Sequence, residues 1–93
     1  MAGLRLEDFE TLVGETWQVE AEGRPVPLRL DRAQKLPRAM RPEGGFRLEW
    51  LGPADSFLPQ ASYRFRRDGD TCEMFVVPVA KDAAGYRYEA VFN

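Results

Sequence analysis

The sequence predicts a small, mainly β domain: a six-stranded antiparallel meander that closes into a barrel or a compact sandwich, with one short N-terminal helix. Three observations predict it. Apolar residues alternate with polar ones at a period of two through most of the chain after residue 16. Short Gly- or Pro-containing connections separate those runs. Helical spacing is confined to residues 6–13. With 93 residues the chain is expected to form one domain, 1–93. A chain of this size buries roughly 60–65% of its unfolded surface.

The helix is expected over Leu6–Val13. Glu7, Asp8 and Glu10 suit the positive N-terminal end of its dipole, Phe9, Leu12 and Val13 share a face, and Gly14 is a C-terminal cap. The first strand follows at Trp17, Val19 and Ala21, and Glu22-Gly23-Arg24 is a tight turn. Val26, Leu28 and Leu30 mark a second strand that continues toward Leu36. Pro27 has no N–H to donate, so that part of the strand lies at an edge or is paired irregularly. Pro37, Pro42, Gly44 and Gly45 make residues 35–45 a long loop.

Phe46, Leu48 and Trp50 form the third strand. A rigid corner through Gly52, Pro53 and Pro59 leads to the fourth, at Tyr63 and Phe65. Asp68-Gly69 is a hairpin turn. The fifth strand, Thr71–Val79, is apolar on both parities from Met74 to Val79 and is therefore expected to be the most buried, with a bulge or an end at Pro78. Tyr86, Tyr88, Ala90 and Phe92 form one face of the sixth, the closing wall of the core. Closure into a barrel is the favoured form, because it hides strand edges that otherwise rely on Pro27 and Pro78.

Composition narrows the chemistry. The absence of histidine removes the usual general base, the usual transition-metal ligand and every Ser-His or Cys-His pair. Ser56 and Ser62 have no base at a recognisable spacing. The lone Cys72, flanked by Met74 and Val76 on its own parity, is a core cysteine. It excludes an internal disulfide and suits a reducing compartment, which with the non-signal-like start makes the cytoplasm the expected location. Asp68-Gly69-Asp70 lacks the ligands and flanking helices of a calcium loop. Gly44-Gly45 lacks the lysine and hydroxyl of a phosphate loop. No enzyme activity, cofactor or metal is expected, and no apolar run approaches the ~20 residues of a membrane span.

Charge is segregated. Residues 1–23 carry a net −5 and residues 24–47 a net +5 within a chain of net −2. Arginines outnumber lysines eleven to two, the bias of protein interfaces rather than of solvating surface. Glu7, Asp8 and Glu10 on one side, and Arg29, Arg32, Lys35, Arg38 and Arg41 on the other, are the candidate interaction residues. They would steer association with another protein or a second copy. The alternative is a small-ligand or single-stranded nucleic-acid binding module using the basic 24–47 segment, with Phe46 and Trp50 stacking on bases. The acidic sequence pI of about 5.1 counts against nucleic acid.

Leu6-Glu7-Asp8-Phe9, the Leu51-Gly52-Pro53-Ala54-Asp55 and Leu58-Pro59-Gln60 elements with Tyr63, and the final Phe75-Val76-Val77-Pro78-Val79 and Tyr88-Glu89-Ala90-Val91-Phe92-Asn93 together resemble a small bacterial family of uncharacterised domains. The resemblance implies a gene neighbourhood of phage-tail-collar or microcystin-dependent-type proteins. It therefore implies a structural accessory role in a phage-tail-like or fibre-like assembly, and it assigns no catalytic residue.

Overall fold

A computed structural model describes residues 5–36 and 45–92. In order they form α1 (Glu7–Glu10), β1 (Thr16–Ala21), β2 (Arg24–Lys35), β3 (Phe46–Gly52), β4 (Ala61–Arg67), β5 (Asp70–Asp82) and β6 (Gly85–Phe92). The strands close into an antiparallel barrel with the circular order β1-β2-β3-β6-β5-β4. Two three-stranded meanders, β1–β3 and β4–β6, are thus joined edge to edge by the β3–β6 and β1–β4 pairings. The predicted barrel forms, and closure is what its alternation requires. Every strand places one parity inward, and an open six-stranded sheet would leave that face wet.

Turn chemistry sets the hairpins. Glu22 and Gly23 (φ 50° and 81°) and Asp68 and Gly69 (φ 49° and 86°) are two-residue turns with both residues in the left-handed region, the geometry that matches strand twist. The third hairpin turns through Ala83-Ala84, where the Ala84 N–H donates to Asp82 Oδ1 at 2.8 Å.

The interior is filled by Val19, Leu28, Leu30, Leu48, Trp50, Phe65, Met74, Val76, Tyr88 and Ala90, all at 1% exposure or less. Each end has a plug. At one end Phe9 packs on Trp17 and Phe46, with ring centroids 6.4 and 6.1 Å away. At the other, residues 53–60 cross the barrel mouth from β3 to β4 and insert Leu58, whose N–H donates to Tyr88 Oη at 3.0 Å. The Tyr63 hydroxyl holds the same loop by donating to the Pro59 carbonyl at 2.6 Å.

Two expectations are corrected. The helix is one turn, Glu7–Glu10, rather than Leu6–Val13. Phe9 alone is deeply buried, Leu12 is half-buried and Val13 exposed, because a barrel end has room for one plug and not for a helix face. The fifth strand is not buried on both sides. Cys72, Met74 and Val76 point inward, while Phe75 (52% exposed) and Val79 (50%) face solvent. A closed barrel has only one inside. The irregularity expected at Pro78 is present: the β5–β6 register shifts between Pro78 and Ala80, leaving Val79 as the extra residue.

Candidate protein-interaction surface

The outer faces of β2, β3, β6 and β5 carry an ordered charge network. Cross-strand pairing sets Glu49 directly opposite Glu89, a repulsive arrangement on its own. Arg47 resolves it. Its Nε donates to Glu89 Oε2 at 2.7 Å, its Nη2 to Glu49 Oε2 at 3.2 Å, and its Nη1 to Gln34 Oε1 at 2.6 Å. Burial works against the Arg47 charge. The bonds that Arg47 donates to Glu89 and Glu49 outweigh that burial, so the guanidinium pKa lies above its usual value. Arg87 continues the network, with Nη1 2.5 Å from Asp31 Oδ2 and 3.8 Å from Glu49 Oε1, and Nε 3.1 Å from Asp82 Oδ2. Asp31 is the extra residue where the β2–β3 register shifts between Leu30 and Arg32, and it also takes Arg29 Nε at 2.7 Å.

These contacts predict a pH response. The bond from Arg29 chiefly, and that from Arg87, hold the Asp31 carboxyl below the usual range despite its partial burial. The Asp82 carboxyl is lowered by Arg87 and by the Ala84 N–H. Both shifts stabilise the fold above the unfolded carboxylate pKa of about 4, and that stability is lost as pH falls through the lower folded value. Melting temperature is expected to drop below about pH 4, and Asp31→Asn should flatten that drop. An unchanged acid limb in the variant would show that Asp31 is not coupled to folding.

Beside this network lies an apolar patch. Phe75, Val79 and Val91 are 52%, 50% and 49% exposed, and half-buried Val77 lies on the same face. Val91 stands opposite Arg47, and Val77 opposite Glu89, so patch and network are contiguous. Sequence reasoning missed these residues because it assigned β5 to the core. The available signal was that apolar residues on both parities of a barrel strand must leave one set outside.

The sequence-derived candidates are placed differently. Glu7, Asp8 and Glu10 lie on α1, where Asp8 Oδ2 accepts the Arg5 N–H at 2.9 Å. Arg29 is tied to Asp31. Arg32 and Lys35 are exposed on β2. Arg38 and Arg41 lie outside the described residues. Lys35 pairs with Phe46, against which α1 packs, so the acidic helix and the end of β2 share one end of the barrel. No ion pair joins the two groups among the described residues. The N-terminal acids turn to β4 instead, Glu15 to Arg67 at 3.1 Å and Glu20 to Arg66 at 3.3 Å. Phe46 and Trp50 are 1% and 0% exposed, core residues rather than a stacking platform.

The barrel ends hold small clefts of about 190 and 200 Å³. The first is lined by Asp8, Phe9, Leu12, Trp17, Asp70 and Cys72, and burial pushes the Cys72 thiol pKa up, which makes it a poor nucleophile. Among the described residues no serine, threonine or cysteine side chain is hydrogen-bonded to a base. Among the described residues, no group of three or more Cys, Asp or Glu is placed to hold a metal ion. No helix among the described residues is long and apolar enough to cross a membrane.

Neither a curated protein nor a solved structure matches this chain. The profile of a domain of unknown function, DUF6916, matches residues 4–92, nearly the full length of the sequence, and the chain belongs to that family.

Proposed function

We propose that this barrel is a non-enzymatic protein-interaction module, a structural accessory of a larger assembly. The observation that carries the reading is the Phe75-Val77-Val79-Val91 patch next to the Arg47–Arg87 network. An apolar centre bordered by arginines paired with acids on neighbouring strands is the composition of a protein interface. Arginines already paired in the free protein lose little side-chain entropy on binding. The resemblance supports the finer form of the proposal, a part of a phage-tail-like or fibre-like particle. The single cysteine supports a cytoplasmic site of action.

The test uses the full chain as bait in native extract of the source organism, compared with Phe75→Asp/Val91→Asp. These exposed positions should tolerate charge with less than about 1 kcal/mol of stability lost. Retention of a specific protein by the parent and its loss, tenfold or more, in the double variant is expected. Gln18→Glu, exposed on β1 across the barrel from the patch, should retain it. Equal capture by the parent and the patch variant would refute this surface. Capture of nucleic acid in place of protein would favour the basic-segment alternative.

A further inference from the structure

The barrel's stagger leaves strand backbone without a neighbour. β5 pairs with β4 only over Asp70–Val76, because β4 begins at Ala61 opposite Val76. Residues 77–82 continue past it, paired with β6 alone. β2 likewise pairs with β3 only from Arg29 onward, so Arg24–Leu28 are held by β1 alone. Both overhangs lie at the end closed by Leu58. Among the described residues, no backbone hydrogen bond from a loop covers the open side of either. Val79, Ala80, Lys81, Arg24, Pro25 and Pro27 are exposed.

An open edge of five or six residues is a template for another strand, and the nearest supply of matching strands is a second copy of the same chain. Its strongest form here would be an antiparallel pairing of β5 with the β5 of a second molecule. Both overhangs carry features that oppose this. Pro78 removes a donor from the β5 edge, the bulge at Val79 breaks its register, and Lys81 puts a charge on it. Pro25 and Pro27 remove two donors from the β2 overhang. Their shared parity places both missing donors on one side of the strand, and a Cβ built at Gly52 of β3 would lie 3.9 Å from the Pro27 carbonyl oxygen, which puts that side toward β3. The ladder to β1 is therefore kept while the open side is blunted.

We infer that Pro78, with Lys81, and the Pro25/Pro27 pair act as blocks that stop the barrel from joining edge to edge with a second copy. This does not depend on the Phe75 face binding a partner. It implies instead that any partner is engaged through side chains of a sheet face rather than by strand addition at these two edges.

The experiment compares the full chain with Pro78→Thr/Lys81→Thr and with Pro25→Thr/Pro27→Thr. Light scattering after size exclusion is run over a concentration series, with circular dichroism to verify folding and amide hydrogen exchange to locate any contact. Expected is a molar mass that rises with concentration above that of the parent. Amides of residues 79–82 in the first variant, or 24–28 in the second, should slow roughly tenfold or more. Either variant, folded, with the parent's mass throughout and no new protection, would overturn its half of the inference. Added mass with protection only around Phe75 and Val91 would overturn it as well, since that result reports face association. The second variant keeps the test decisive if the first fails to fold, because the proline pair lies in a segment anchored by β1.

Discussion

Gly85→Ala is expected to be the most damaging single change to the barrel. Gly85 opens β6 at φ +141°, a conformation that side chains avoid, and a Cβ there would sit 2.0 Å from the Gly52 carbonyl oxygen. The Gly52 backbone has little room to retreat. A Cβ built at Gly52 would itself meet Leu28 Cδ2 at 2.5 Å and the Tyr88 ring at 3.0 Å, so the peptide is wedged between the barrel wall and Gly85. Backbone strain alone costs about 1–3 kcal/mol. Forcing β3 and β6 apart where Gly52 pairs with Tyr86 adds lost ladder bonds and an opened core. A loss of about 4 kcal/mol or more is expected against a total of roughly 5–14 for a chain of this length, a fall in Tm of at least about 20 °C. Gly69→Ala is the comparison. It has φ +86° with open space around it, and should lose only about 1 kcal/mol. A thermal melt of Gly85→Ala within about 5 °C of the parent would contradict the steric argument.

Trp50→Ala is expected to be the second most damaging change, at about 3–5 kcal/mol. Trp50 is fully buried at the barrel centre, 4.8 Å from the Phe65 centroid and edge-on (88°) to Trp17 at 6.1 Å. No smaller side chain fills that volume, and a closed barrel cannot collapse around the cavity. The indole N–H groups of Trp17 and Trp50 have no hydrogen-bond partner among the described residues. An unmet buried donor costs about 1–3 kcal/mol, partly offset where an aromatic edge meets a neighbouring ring face. Trp50→Phe is therefore expected to cost less than half as much as Trp50→Ala, because it removes the unmet donor along with some volume. Urea unfolding followed by the remaining Trp17 fluorescence measures both. Equal losses would show that the N–H is satisfied in solution.

Much of the architecture was legible from residue order. Glu22-Gly23 and Asp68-Gly69 announce their turns, because few residues enter the left-handed region readily. Trp17, Val19 and Ala21, or Phe46, Leu48 and Trp50, announce their inward faces by alternation. Pro78 announces an irregularity, because it removes a ladder donor. The interaction surface was not legible in the same way. Phe75 and Val79 look like core residues, since an apolar run carries no parity signal. The ion pairs linking Arg47 to Glu89 and Arg87 to Asp31 join residues 42 and 56 positions apart. Nothing in local charge patterning anticipates them, and the segregation between residues 1–23 and 24–47 suggested other partners.

The sequence by itself determined the number of strands, their boundaries to within a few residues, most of the core and the absence of histidine-based chemistry. These are local properties, set by backbone preference and by a side-chain period of two. Tertiary structure alone decided that β3 meets β6 and β1 meets β4. It also decided that the Leu58 loop crosses the barrel mouth, and that the outer residues of β5 and β6 form an apolar patch beside two paired arginines. Periodicity says which side of a strand faces inward. It is silent on which strand lies alongside, because that choice depends on how all six strands close around a single core.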